Sequence, residues 1–220
     1  MIFPEQLVDG GEHPFQFVGV AGMLEGVVTV PEPVNMKYVA ILGHPHSLQG
    51  GTMNNKVVTT LARAFKDMNI PSIRFNFRGV GQSQGQYDAG LGESEDMLAI
   101  VQAWCSQFGE CQIIYAGFSF GSYVAYRAAA QSSHGLLLTV APPVHHYDYM
   151  DFAVAPAPWL VMQGDTDEVV PMSIVLDFSD NHRPKLPVIR FSETGHFFHG
   201  RLLELKTKTV QLITEYLLAK

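Results

Sequence analysis

Apolar and polar positions alternate along this chain in two rhythms. Phe15–Val18 and Leu24–Val30 follow a period of two, as strands with one covered face do. Val20-Ala21-Gly22 lies between them as a turn, so the pair predicts a hairpin, closed by Pro31-Glu32-Pro33. Lys37–Leu42 is an almost unbroken apolar run, which suits a strand buried on both faces of a parallel sheet. Further strands are expected at Pro71–Phe77, Cys111–Ala116, Gly135–Val140, Pro158–Gln163 and Leu186–Phe191. The segments between them change to helical spacing. Val57, Val58, Leu61, Ala62, Ala64, Phe65 and Met68 form one stripe. Helices are also expected at Glu93–Phe108, Ser122–Ala130, Pro171–Phe178 and Leu202–Leu218. Glu93, Glu95 and Asp96 fall in what reads as the first turn of the second helix, where the helix dipole favours negative charge. Strands alternating with helices imply βαβ units: an α/β fold with a mostly parallel sheet and helices on both faces. No repeat or linker interrupts the pattern, so 1–220 is read as a single domain.

In such a sheet, ligands bind beyond the carboxyl ends of the strands. One loop there is Gly117-Phe118-Ser119-Phe120-Gly121, between a β-branched run and a helical one. A serine on so sharp a strand-to-helix turn is strained, and its neighbours two residues away must be very small. Gly117 and Gly121 meet that need. The amide of Phe120 then stands at a helix start, where backbone donors lack partners and an anion is favoured. The spacing is that of a nucleophile elbow, G-x-S-x-G. The plain alternative is a glycine-bracketed turn without chemistry.

Two more loops on the same side carry candidate chemistry. Gly164-Asp165-Thr166-Asp167 follows one strand, and Gly195-His196 follows the last. The residues alone leave Asp165 and Asp167 open as the acid, and His199 as a substitute for His196. His44-Pro45-His46 and His145-His146 resemble metal pairs, but no motif with metal-ligand spacing such as H-E-x-x-H occurs, and no metal is expected. Arg78-Gly79-Val80-Gly81 lacks the lysine of a phosphate loop and reads as a sharp turn.

These motifs together resemble the α/β-hydrolase fold superfamily, over nearly the whole chain. The order Ser119, Asp167, His196 is that of nucleophile, acid and histidine. Gly164, Asp167, Val170 and Pro171 match G-x-x-D-x-x-V-P. Gly195, His196 and Phe198 match G-H-x-F, and Arg78, Gly79, Gly81 and Ser83 match R-G-x-G-x-S. Asn76 stands where many relatives carry an acid. The combination looks like a compact bacterial group of lidless hydrolases with a Gly-Phe-Ser-Phe-Gly elbow. The resemblance implies that Ser119 attacks, His196 is the general base and Asp167 orients it. It implies a second oxyanion donor at the His46 amide, with that of Ser47 as the neighbouring choice, beside the Phe120 amide. Ser47, Leu48, Phe118 and Phe197 are expected around the substrate. Residues 141–157 are the only room for a lid, so the pocket is expected to be open. The expected function is a carboxylic ester hydrolase acting on small acyl esters without a cofactor. Thioesterase, amidase or cofactor-free haloperoxidase chemistry would use the same triad, and a non-enzymatic binding or scaffold protein on the same fold is the rival class.

Charge narrows the partners. The net charge is −7 and no basic cluster occurs, so nucleic acid is not an expected partner. No apolar run reaches the length of a membrane span. The opening residues show no basic stretch leading into an apolar core, so no secretory signal is expected and the cytoplasm is the expected compartment. Cys105 and Cys111 are six residues apart and could bridge, but a cytosolic chain keeps them reduced, so packing roles are expected. Only 16% of residues are charged, which leaves room for contacts between copies without showing them.

Overall fold

The computed structural model describes all residues except 1, 5, 6, 8, 134, 153–155, 157 and 219–220, with the backbone alone at 218. Three of the opening residues, and four of the seventeen expected to offer room for a lid, therefore lie outside the described residues.

The strands are β1 (Gly11–Gly19), β2 (Gly22–Val30), β3 (Tyr38–Gly43), β4 (Ser72–Phe75), β5 (Gln112–Phe118), β6 (Leu136–Val140), β7 (Trp159–Gly164) and β8 (Val188–Phe191). The helices are α1 (Lys56–Asp67), α2 (Leu91–Phe108), α3 (Phe120–Ala130), α4 (Met172–Asn181) and α5 (Leu202–Leu218). The eight strands form one sheet in the order β1-β2-β4-β3-β5-β6-β7-β8. β1 and β2 pair antiparallel as a hairpin, β2 is antiparallel to β4, and all other pairs are parallel. β1 begins earlier than alternation alone suggested and takes in His13-Pro14. A proline is tolerated there because β1 is an edge strand with no ladder bond to lose on its open side.

The period of two along the strands feeds two cores. Val39 and Ile41 of β3, Ile113 and Tyr115 of β5, and Leu137 of β6 face the side covered by α2, α3 and α4. Ala40, Leu42, Ile114, Ala116, Leu136 and Leu138 face the side covered by α1 and α5. On α1 the stripe of Val57, Val58, Leu61 and Phe65 is fully buried, and truncating Phe65 to alanine would cost about 3–5 kcal/mol. Asn55 caps α1 by accepting the Val57 amide. No helix among the described residues is long and apolar enough to cross a membrane.

Two expectations change in detail. α2 begins at Leu91, so its acids do not simply face a helix dipole. Glu93 is buried and accepts the amides of Asp88 and Gly90, both at 2.8 Å. Asp96 sits a turn further on, fully buried, and pairs with Arg78 Nε at 2.8 Å. Asp96 thereby ties the glycine-rich loop after β4 to α2. Asn76, in place of an acid, accepts the Met53 amide and donates to Glu25, so it braces the base of that loop. Cys105 and Cys111 are free and half-buried, and burial pushes the Cys111 thiol up to about 12.

Candidate active site

β3, β5, β7 and β8 all end on the same side of the sheet, and the loops that follow them meet there. β5 runs straight into α3, which starts at Phe120, two residues earlier than its apolar pattern indicated. Ser119 between them has φ +52°, the left-handed region that non-glycine residues rarely occupy. It holds the N-cap position of α3, yet its side chain caps nothing. Its Oγ instead lies 3.0 Å from His196 Nε2. The strain is held from several sides. The Ser119 amide donates to Val140 O, and the Ser122 hydroxyl reaches both Gly117 O and Val140 O.

The elbow is possible only because three glycines stack. A Cβ on Gly117 would run into the Gly121 carbonyl, and one on Gly121 into the Gly43 backbone. Gly43, the last residue of β3, is the third member, and the motif spacing gives no hint of it.

His196 sits on the loop after β8 and Asp167 on the loop after β7. The two loops are laced together by Asp165 N to Phe191 O and Thr166 N to Thr194 O. His196 Nδ1 donates to Asp167 Oδ2 at 2.8 Å. A carboxylate only accepts, so Nδ1 carries the proton and Nε2 is free to accept from Ser119. Asp167 is itself fixed by three other donors: Val169 N and Val170 N on Oδ1, and Gln163 Nε2 on Oδ2. Asp165 turns away and forms a two-bond pair with Arg190, whose guanidinium holds the Asp165 carboxyl below its ordinary range. His199 is exposed in the turn before α5, with its ring against Phe197.

The loop after β3 contributes two histidines with different surroundings. His44 is fully buried. Its Nδ1 donates to Pro45 O at 2.7 Å and its Nε2 accepts the Phe77 amide at 3.0 Å. Burial pushes its pKa down to about 4, so the ring is neutral and both nitrogens are used. His46 caps a short 3-10 turn at Ser47–Gln49 by accepting the Leu48 amide. Its ring lies against Tyr87 and Phe120, and burial lowers its pKa. The backbone amides of His46 and Phe120 have no acceptor among the described residues. His145 and His146 lie ring against ring, tilted, at the surface. Among the described residues no three His, Cys, Asp or Glu side chains converge to hold a metal ion.

Ser119 and His196 open into a cleft of about 130 Å³, walled by His46, Gln49, Gly51, Asn55, Val169 and Phe197. Of the four residues expected around a substrate, Phe197 lines this cleft and three do not. Phe118 is fully buried and packs behind the His196 ring, while Leu48 is 72% exposed and stands outside. The Ser47 hydroxyl is buried in the 3-10 turn. That turn swings Gln49 and the Gly50-Gly51 backbone into the wall in their place. A local 3-10 turn leaves no periodic signal in three residues, so the sequence could not have shown this.

A solved structure of an α/β serine hydrolase homologue from Coxiella burnetii is 42% identical, with a TM-score of 0.87, covering 90% of this chain and 96% of that one. The chain belongs to the α/β serine hydrolase family. XC6422 from Xanthomonas campestris, described as an α/β serine hydrolase without lid, is 38% identical with a TM-score of 0.91, covering 98% of this chain and 97% of its own. The uncharacterized protein RP471 of Rickettsia prowazekii (strain Madrid E) is 32% identical over 214 residues, 92% of this chain and 87% of that one. No protein-family model matches the sequence. In this chain the described part of the segment after β6 packs on α3. Tyr147 stacks on Tyr123 of α3, Tyr149 meets the same ring edge-on, and Asp151 pairs with Arg127 of that helix. Its described part, 141–152, is thus fastened to α3.

Proposed function

We propose that this hydrolase cleaves carboxylic esters of small acyl groups through Ser119, His196 and Asp167. The observation that carries the reading is the continuous chain of contacts from Ser119 Oγ to His196 Nε2 and from His196 Nδ1 to Asp167 Oδ2, at 3.0 and 2.8 Å. A serine hydroxyl is a weak nucleophile at neutral pH. His196 takes its proton as Oγ attacks the ester carbonyl, and the imidazolium that forms is stabilised by Asp167. Negative charge then develops on the carbonyl oxygen. The Phe120 amide, at the start of α3, and the His46 amide are the donors for it, neither having an acceptor among the described residues. His196 returns the proton to the departing alcohol, leaving an acyl group on Ser119. Water, deprotonated by the same histidine, releases the acid.

The cleft supports the small-acyl part of the reading. The cleft is short, about 130 Å³, and Gln49, Asn55 and glycine backbone give it polar walls. Thioesters expose the same carbonyl to the same nucleophile and belong to the same test. That test is turnover of chromogenic acyl esters by the protein and by its Ser119→Ala variant. The reading expects hydrolysis of the shortest esters, reduced by several orders of magnitude in the variant. Equal turnover by both proteins would place the activity elsewhere.

A further inference from the structure

Gln163, the penultimate residue of β7, is fully buried. Its carboxamide nitrogen lies 3.1 Å from Asp167 Oδ2, 2.8 Å from Val170 O and 3.3 Å from Gly164 O. All three neighbours are acceptors. The amide can face them only with its nitrogen, because turning it over would set its own oxygen against a carboxylate and two carbonyls. In this orientation Oε1 is buried and has no partner among the described residues. An unpaired buried carbonyl is unfavourable, and a methionine or leucine at the same place would avoid it. The arrangement therefore makes sense only for what the nitrogen does.

We infer that Gln163 is a positioning residue that holds the Asp167 carboxylate in register with His196 and shares the negative charge of Oδ2. The inference rests on the triad reading above and extends it to a residue outside the triad. Oδ2 is the atom that also takes the His196 Nδ1 proton in hydrogen bonding. A second donor on that atom fixes its direction and draws off part of its charge. The amides of Val169 and Val170 occupy Oδ1, so the carboxylate has no freedom to rotate. Gln163 bonds Val170 O as well, and so closes the acid loop back onto the strand it leaves. Other ionisable groups around the acid are few. His145 on the segment after β6 lies near enough to feel the Asp167 charge, and Asp165 on the same loop is engaged with Arg190.

The test uses the rate at which a fluorophosphonate modifies Ser119, measured from pH 5 to 9 in the full-length protein and in Gln163→Met. Methionine keeps the length and the packing and removes the donor. The variant should react about 10- to 100-fold more slowly, the effect of one hydrogen bond to a charged group. The acidic limb of its rate profile should move to higher pH, because a more concentrated charge on Oδ2 holds the imidazolium longer. A variant with a lower melting temperature but the same rate and limb as the wild type would overturn the inference and leave the triad standing. No modification of Ser119 in the wild type would overturn the triad and this inference with it. Where Gln163→Met does not fold, NMR of the wild type decides. The Gln163 carboxamide protons should exchange slowly and shift as His196 takes up a proton; exchange as fast as in free glutamine would refute the role.

Discussion

A Cβ placed on Gly43 would stand 2.6 Å from the carbonyl oxygen of Gly121. The end of β3 and the first turn of α3 thus touch backbone to backbone, and the elbow of Ser119 exists because they do. Gly43→Ala should lower stability by about 1–3 kcal/mol, since neither backbone can move aside as a side chain would. For a chain of this size that is a fall in melting temperature of about 2–4 °C per kcal/mol. Gly135→Ala is the control. Its Cβ would meet mainly the flexible Gln112 side chain, and little change is expected. Thermal unfolding of both variants checks the claim, and equal melting points for Gly43→Ala and the wild type would contradict it.

Asp167 and Asp165 should separate sharply on mutation. Asp167→Asn leaves His196 without an acceptor at Nδ1 and favours the wrong tautomer, a loss of about 10⁴-fold in kcat where such triads have been dissected. Asp165→Asn removes an exposed pair with Arg190 and should change kcat little. Steady-state kinetics on one short ester decide, and the opposite ranking would move the acid to Asp165.

Stability should depend on His44 in mild acid. Burial holds its pKa at about 4 in the folded chain, against 6.5 when unfolded. Between those values the unfolded chain binds the extra proton, so the contribution of neutral His44 is complete above about pH 6.5 and is lost as the pH falls toward 4. The size is about 3 kcal/mol, from the depression of the pKa. Below pH 4 this contribution to the slope ends. Denaturant unfolding at pH 7, 5.5 and 4 for the wild type and His44→Gln measures it. The variant should be less stable at pH 7 and show a shallower decline, and parallel declines would contradict the assignment.

Chain length should matter in one direction only. The described part of the segment after β6 is bound to α3 by Tyr147, Tyr149 and Asp151, and the cleft is small. Added methylenes on the acyl group should therefore gain much less than the ~0.8 kcal/mol each that full burial brings. kcat/KM from acetyl to palmitoyl esters of one alcohol tests this. A steady rise to palmitoyl would mean a groove that the cleft geometry does not provide.

Much of this was readable in the sequence because it is written in local terms. Apolar runs marked β3, β5, β6 and β7, and the glycine spacing around Ser119 marked the turn from β5 into α3. The residues alone left Asp165 and Asp167 open, the resemblance to G-x-x-D-x-x-V-P favoured Asp167, and it is Asp167 that lies against His196. What escaped depends on partners distant in sequence. Gly43 is constrained by Gly121, 78 residues on, and Asp96 by Arg78 across a loop and a helix start. Gln163 reads as one more residue in a strand until its nitrogen is seen against Asp167. The cleft wall departs from expectation at Ser47 and Leu48 because a three-residue 3-10 turn decides which side chains face Ser119, and at Phe118 because its side chain is buried at the end of β5 behind the His196 ring.

The central claim is that Ser119 is the nucleophile. The most direct measurement is the intact mass of the protein after exposure to a fluorophosphonate, followed by peptide mapping. The account predicts one adduct per chain, on Ser119, and none on Ser119→Ala or on protein unfolded beforehand. An adduct on another residue, or an unmodified wild type under conditions where the folded chain is intact, would contradict it.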